Sequence, residues 1–174
     1  MGLGKSSYDE DEVAETLQRL AAERCFLVDA STLIVLDKAG LLSVCMPELP
    51  CETIPEVVTE VGDELFAHAD IDVRPAHPSA PTGRAFDTDS LLFNTAHEEG
   101  LAVVSEDKKL LRRCDAAGVS YYNAGMLLLL LRLRGISSFE PNTAYRKLCA
   151  VARYGPEVSK YLEALDVFLR KQGR

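Results

Sequence analysis

No apolar run in this 174-residue sequence approaches the roughly 18 residues needed to cross a bilayer. The longest, Met126 to Leu131, runs into Arg132 and Arg134 and reads as a buried helix face. A basic-then-apolar leader is also missing, because the N-terminal region is acidic (Asp9-Glu10-Asp11-Glu12). Both absences lead to the expectation of a cytoplasmic protein with no membrane partner. Cysteine is sparse: Cys25, Cys45, Cys51, Cys114 and Cys149 are scattered, with no C-x-x-C and no histidine at zinc-finger spacing. Buried reduced thiols are expected, with Cys45 and Cys51, which flank a loop, best placed to do otherwise. His68, His77 and His97 stand alone and receive no catalytic role. No internal repeat or low-complexity tract is present, and no G-x-x-x-x-G-K-[ST] loop occurs. Gly2-Leu3-Gly4-Lys5-Ser6-Ser7 only imitates such a loop, since no strand precedes it and the first glycine is misplaced.

Apolar residues make up 47% and charged residues 26%, an ordinary balance, and the length suits one domain with a well-formed core. The net charge of −8 argues against a nonspecific polyanion binder, but the charge is unevenly spread. Residues 1–107 hold 22 acids against 6 bases, a net of −16; residues 108–174 hold 5 acids against 13 bases, a net of +8. An acidic half suited to a cation and a basic half suited to a phosphate backbone is one meaning of that split; solvated helix faces are the other.

Periodicity predicts an N-terminal amphipathic helix over 8–24, a strand over 25–29 and a helix from Ser31 to Leu42. A loop with Pro47 and Pro50 follows. Thr53 then reads as the N-cap of a helix reaching about Phe66, with Pro55 in its first turn and Glu56 closing a capping box. Ile71 to Arg74 reads as a short strand and Pro75 to Phe86 as a mobile loop. Helices at 87–99, 106–117 and 124–133, closed by Gly100, Gly118 and Gly135, alternate with strands at 101–105 and 119–122; further helices occupy about 141–154 and 156–171. Short apolar strands alternating with helices predict a three-layer α/β/α fold with a central parallel sheet. The expected organisation is a single domain with a core at about 25–135 and extra N- and C-terminal helices.

The candidate chemistry lies in acids. Asp29 ends the apolar run Cys25-Phe26-Leu27-Val28, and Asp107 follows Leu101-Ala102-Val103-Val104-Ser105-Glu106, so both sit at strand ends, where open α/β sheets place ligands. Each also suits a helix N-cap, and capping does not preclude ligation. Helical phase sets Asp89 in line with Leu92, Phe93 and Ala96, whereas Asp87 points about 160° away and reads as the N-cap or a solvated residue; Leu91 falls off that stripe. Glu60 and Glu64 border the Val57, Val58, Val61 and Leu65 stripe on opposite margins, and phase does not choose between them, while Glu56 and Asp63 point to solvent. Ser31 stands where a haloacid-dehalogenase-like site needs a second aspartate, and Phe26-Leu27-Val28 replaces the acidic pair of a receiver domain.

Val28-Asp29-Ala30-Ser31, Ile54-Pro55-Glu56-Val57-Val58-Thr59-Glu60-Val61, Asp89-Ser90-Leu91-Leu92-Phe93-Asn94-Thr95-Ala96 and Val104-Ser105-Glu106-Asp107, in this order, resemble the PIN-domain nucleases, which include the VapC-type toxin ribonucleases. The resemblance spans about residues 25–135 and favours Glu60 over Glu64. It implies a metal-dependent endoribonuclease in which Asp29, Glu60, Asp89 and Asp107 bind Mg²⁺ or Mn²⁺ and carry catalysis. Ser31, Ser105 and Asp87 would support them. Lys108, Lys109, Arg112 and Arg113, on the helix after Asp107, would guide the RNA backbone, with Arg132 and Arg134 as further candidates. The implied partners are RNA, an antitoxin protein if the chain is a toxin, and a second copy of the chain. A PIN-like module that docks RNA or protein without cutting is the alternative. The N-terminal helix, the basic C-terminal region and the additional acid Asp87 depart from the compact toxin pattern.

Overall fold

Two strands with every residue buried form the centre of the molecule. β1 (Phe26–Val28) and β4 (Ala102–Val104) pair in parallel, with Val28 opposite Val104. Their six side chains are all apolar, as required of strands covered by helices on both faces. The structure, a computed structural model, describes residues 8–77, 87–136 and 140–173.

Along the chain the other elements are α1 (Glu10–Ala22), α2 (Ala30–Lys38), α3 (Leu42–Cys45), a 3₁₀ turn at Met46–Glu48, β2 (Cys51–Thr53), α4 (Pro55–Val61), α5 (Asp63–Ala67), β3 (Asp72–Val73), α6 (Thr88–Glu99), α7 (Lys108–Ala117), β5 (Tyr121–Tyr122), α8 (Ala124–Leu133), α9 (Pro141–Ala152) and α10 (Pro156–Lys171). Among the described residues the five strands form one parallel sheet in the order β3-β2-β1-β4-β5. From β1 the chain steps outward through β2 to β3, then crosses back to β4 and steps outward again to β5. Right-handed crossovers therefore place α2, α4 and α5 on one face and α6 and α7 on the other. The packing agrees, since α2 lies against α4, α8 and α9, and α6 lies against α7 and β4. This is the α/β architecture expected from the alternation of apolar strands and helices.

The added helices are part of the core. α1 contributes Val13, Leu17 and Leu20, and α10 contributes Leu162, Leu165 and Leu169, all buried where the two pack together and on α8. Eight of the ten α8 residues are buried, which accounts for the apolar run at 126–131. No single helix among the described residues is long and apolar enough to cross a membrane. All five cysteines are free thiols, and burial pushes Cys45 up to about 12.

Three expectations are corrected. Thr53 is not an N-cap but the last residue of β2, fully buried, with its hydroxyl donating to the Val28 carbonyl at 2.7 Å. Ile54 takes the N-cap place without a side-chain bond, so no capping box forms. The helix expected to continue to Phe66 breaks at Gly62, whose φ of 84° and ψ of 152° suit glycine and end α4 before α5 begins. Glu56 does not simply face solvent, because its Oε2 is buried. Most of the loop expected over Pro75 to Phe86 lies outside the described residues.

Candidate active site

β1 and β4 mark the place where the chain reverses its direction of travel across the sheet. In open α/β sheets the crevice beyond the carboxyl ends of such strands is where ligands bind. Asp29 leaves β1 there, and Ser105, Glu106 and Asp107 leave β4 beside it. The backbone ties the two exits together, with the Asp29 amide donating to the Val104 carbonyl at 2.9 Å and the Ser105 amide to the Tyr122 carbonyl at 3.1 Å.

Asp29 is 3% exposed and accepts three hydrogen bonds, one on Oδ1 and two on Oδ2. Its Oδ1 accepts from the Ala30 amide at 2.7 Å, and its Oδ2 accepts from the hydroxyls of Ser31 at 2.6 Å and Ser105 at 2.7 Å. The Glu106 amide donates to Ser31 Oγ and the Asp107 amide to Ser105 Oγ, both at 2.9 Å. A serine hydroxyl has one proton to give. With each proton on Asp29, both oxygens are free to accept an amide, and the 3.2 Å separation of the two hydroxyls reflects their shared target. Ser31 and Ser105 thus brace the buried carboxylate and at the same time draw the 105–107 loop onto the start of α2.

The other acids surround this centre. Asp107 is exposed and caps α7, with Oδ1 accepting from the amides of Lys109 at 2.6 Å and Leu110 at 3.2 Å. Asp87 is the N-cap of α6, as its helical phase suggests, and accepts from the Ser90 amide at 2.7 Å. Those bonds hold its carboxyl below the usual aspartate range, with Lys109 and Arg113 adding to the effect. Asp89 is half-buried in the first turn of α6, and its pKa is raised, first by desolvation and then by the charges of Asp29, Asp107, Asp87 and Glu60. Glu60 is exposed on α4, and its charge reaches Asp89. Asp29, Glu60 and Asp107 therefore all act electrostatically on Asp89. They do not close on a common point: among the described residues no group of three or more His, Cys, Asp or Glu side chains is placed to hold a metal ion. The donors fit a hard cation in chemistry, being carboxylate oxygens that repel one another around Asp89.

Among the expected phosphate-guiding residues, Lys108, Lys109 and Arg112 are exposed and form no ion pair among the described residues. Arg113 lies 4.0 Å over the Phe93 ring and donates to Ser90 Oγ at 3.0 Å, so it joins α7 to α6. Arg132 is paired with Asp166, and Arg134 is exposed.

One residue at the site carried no sequence signal. Glu106 turns inward while its neighbour Asp107 turns outward. Its Oε1 accepts from the Ala124 amide at 2.7 Å, at the start of α8, and the Tyr154 hydroxyl lies near its carboxyl. Burial raises its pKa, and these polar neighbours oppose the rise. A glutamate beside a known strand end looks like any solvated acid until the helix whose amide it meets, 18 residues later, is in place.

No family model matches the chain, and no curated protein matches it. Among solved structures the chain is similar to a PilT N-terminus domain protein from the hyperthermophilic archaeon Sulfolobus solfataricus P2, with 13% sequence identity, a TM-score of 0.44 and coverage of 67% of this chain and 97% of that one.

Proposed function

We propose that the chain is a metal-dependent endoribonuclease that hydrolyses RNA phosphodiester bonds at Asp29, Glu60, Asp89 and Asp107. The observation that carries this reading is the position of Asp29 and Asp107 after the paired ends of β1 and β4, where the sheet reverses direction, with their charges and that of Glu60 acting on Asp89. The PIN-like order of motifs in the sequence supports it; the finer reading, a toxin held by an antitoxin, rests on that order alone.

Mg²⁺ or Mn²⁺, held by these four carboxylates, would neutralise the scissile phosphate and acidify an attacking water. The residues' own contributions follow from their settings. Asp29 is locked by two hydroxyls and an amide, so its carboxylate cannot swing away from an incoming cation. Asp89 keeps its proton to higher pH than an ordinary aspartate, a bias suited to a group that exchanges protons in the reaction. Lys108 and Lys109 begin α7 directly after Asp107, and Arg112 follows one turn on, where all three can meet phosphates.

The test pairs Mn²⁺ titration by calorimetry with incubation of labelled single-stranded RNA in Mg²⁺, Mn²⁺ or EDTA. Metal binding together with metal-dependent cleavage is the expected result. The second reading is a PIN-like module that docks RNA or protein without cutting. RNA binding with neither Mn²⁺ binding nor cleavage would establish it.

A further inference from the structure

We propose that Tyr154 is a positioning residue for the 105–107 loop: through the start of α8, whose adjacent amides bond Glu106 and Tyr154, it holds the loop that braces Asp29 and carries Asp107. Tyr154 lies between α9 and α10, beyond the part of the chain that carries the candidate acids. Arg153 before it adopts a left-handed conformation with φ of 50°, and Gly155-Pro156 after it starts α10, so the backbone turns sharply around this ring. Its hydroxyl accepts from the Gly125 amide at 3.2 Å, next to the Ala124 amide that donates to the Glu106 carboxyl at 2.7 Å.

The first three amides of α8 have no partners within the helix and need acceptors. Here Ala124 donates to Glu106, Gly125 to Tyr154 and Met126 to Asn123 Oδ1 at 3.0 Å. The arrangement needs a close approach: a Cβ at Gly125 would lie 2.6 Å from Leu162 Cδ1 of α10. Glu106 is thus held from its side chain by the start of α8, which Tyr154 bonds at the next amide, and from its backbone amide by Ser31, which in turn donates to Asp29. Removing the Tyr154 hydroxyl leaves the Gly125 amide without its acceptor, beside the Ala124 amide that holds the Glu106 carboxyl.

The proposed nuclease activity is needed only for the catalytic consequence of this link; the link itself is read separately. Tyr154→Phe in the full chain is compared with Tyr161→Phe, which removes a hydroxyl bonded to Thr16 at 2.7 Å, between α1 and α10. Amide exchange at Glu106 and Asp107 is expected to quicken about tenfold in Tyr154→Phe, the scale of one lost hydrogen bond, and to stay unchanged in Tyr161→Phe. In an active wild type, kcat and Mn²⁺ affinity should fall severalfold in Tyr154→Phe, with KM for RNA held. Unchanged exchange at both amides, or equal acceleration in Tyr161→Phe, overturns the positioning role; so does faster exchange with kcat and Mn²⁺ affinity unaltered. A wild type that neither binds Mn²⁺ nor cuts RNA overturns the nuclease reading, while exchange still decides the link. Should Tyr154→Phe not fold, Glu106→Gln, which keeps an oxygen for the Ala124 amide, is judged by the same exchange criterion.

Discussion

Ser105 donates its hydroxyl to Asp29 at 2.7 Å, joining the ends of β1 and β4 across 76 residues of sequence. The same oxygen receives the Asp107 amide, so one serine couples a buried carboxylate to an exposed one. The acids of this region are therefore held by a hydrogen-bond network that is sensitive to single-atom changes.

Asp29→Asn tests that sensitivity. An asparagine oxygen can accept from both serines only if its NH₂ faces the Ala30 amide, setting donor against donor. The expected cost is about 1–3 kcal/mol of stability, measured by urea denaturation, together with loss of metal-dependent cleavage. Wild-type stability and activity in this variant would show that the carboxylate is neither held nor used in this way.

Asp89 and Asp87 should part company. Asp89→Asn is expected to lose cleavage about a hundredfold or more, whereas Asp87→Asn keeps most of it, because asparagine still caps α6. Asp87→Ala instead costs about 1 kcal/mol of stability through the lost cap. Equal activity losses in the two asparagine variants would place both acids in the reaction.

The pKa of Asp89 is raised, so the folded chain holds that proton more tightly than the unfolded chain. Its contribution to stability falls as pH rises from the ordinary value of 3.8 through the raised folded value. Asp87 works the other way: its contribution is present above 3.8 and is lost as pH falls through its lowered folded value. Asp89→Asn should consequently be more stable than wild type at neutral pH and converge with it in acid, followed by Tm across pH. Mn²⁺ affinity should weaken as pH falls through the raised Asp89 value, because the cation must displace the proton. A difference in Tm that does not vary with pH would contradict the crowding of charge around Asp89.

Lys109→Glu with Arg112→Glu should weaken binding to single-stranded RNA. The log–log salt slope should drop by about 0.7 per lost phosphate contact, with Mn²⁺ affinity little changed. Adding Arg113→Glu should also lower stability, since Arg113 rests on Phe93 and Ser90. Binding and salt slope unaltered by the double reversal would move the RNA to another face.

Much of the frame was legible in the chain because it depends on local pattern. The apolar runs ending at Asp29 and before Ser105 are short and unbroken, and their length and β-branched valines read as buried strands. The phase of α6 separated Asp87 from Asp89 because a helix repeats its faces every 3.6 residues. Gly100 and Gly118, at φ of 66° and 69°, ended their helices where expected, since left-handed caps favour glycine.

Other features depend on partners far along the chain. Cys51-Glu52-Thr53 carries no apolar run and lies between two prolines; it becomes β2 only because Phe26 and Leu27 on one side and Asp72 and Val73 on the other offer backbone partners. Glu106 resembles a surface acid until the start of α8 supplies an amide. Arg113 resembles its basic neighbours until α6 places Phe93 beneath it. Local periodicity determined most of the helices, the two central strands and the phase that separates Asp87 from Asp89. Only tertiary packing decided which polar groups share a hydrogen bond, because those partners lie 18 to 76 residues apart in sequence and meet only after the sheet has assembled.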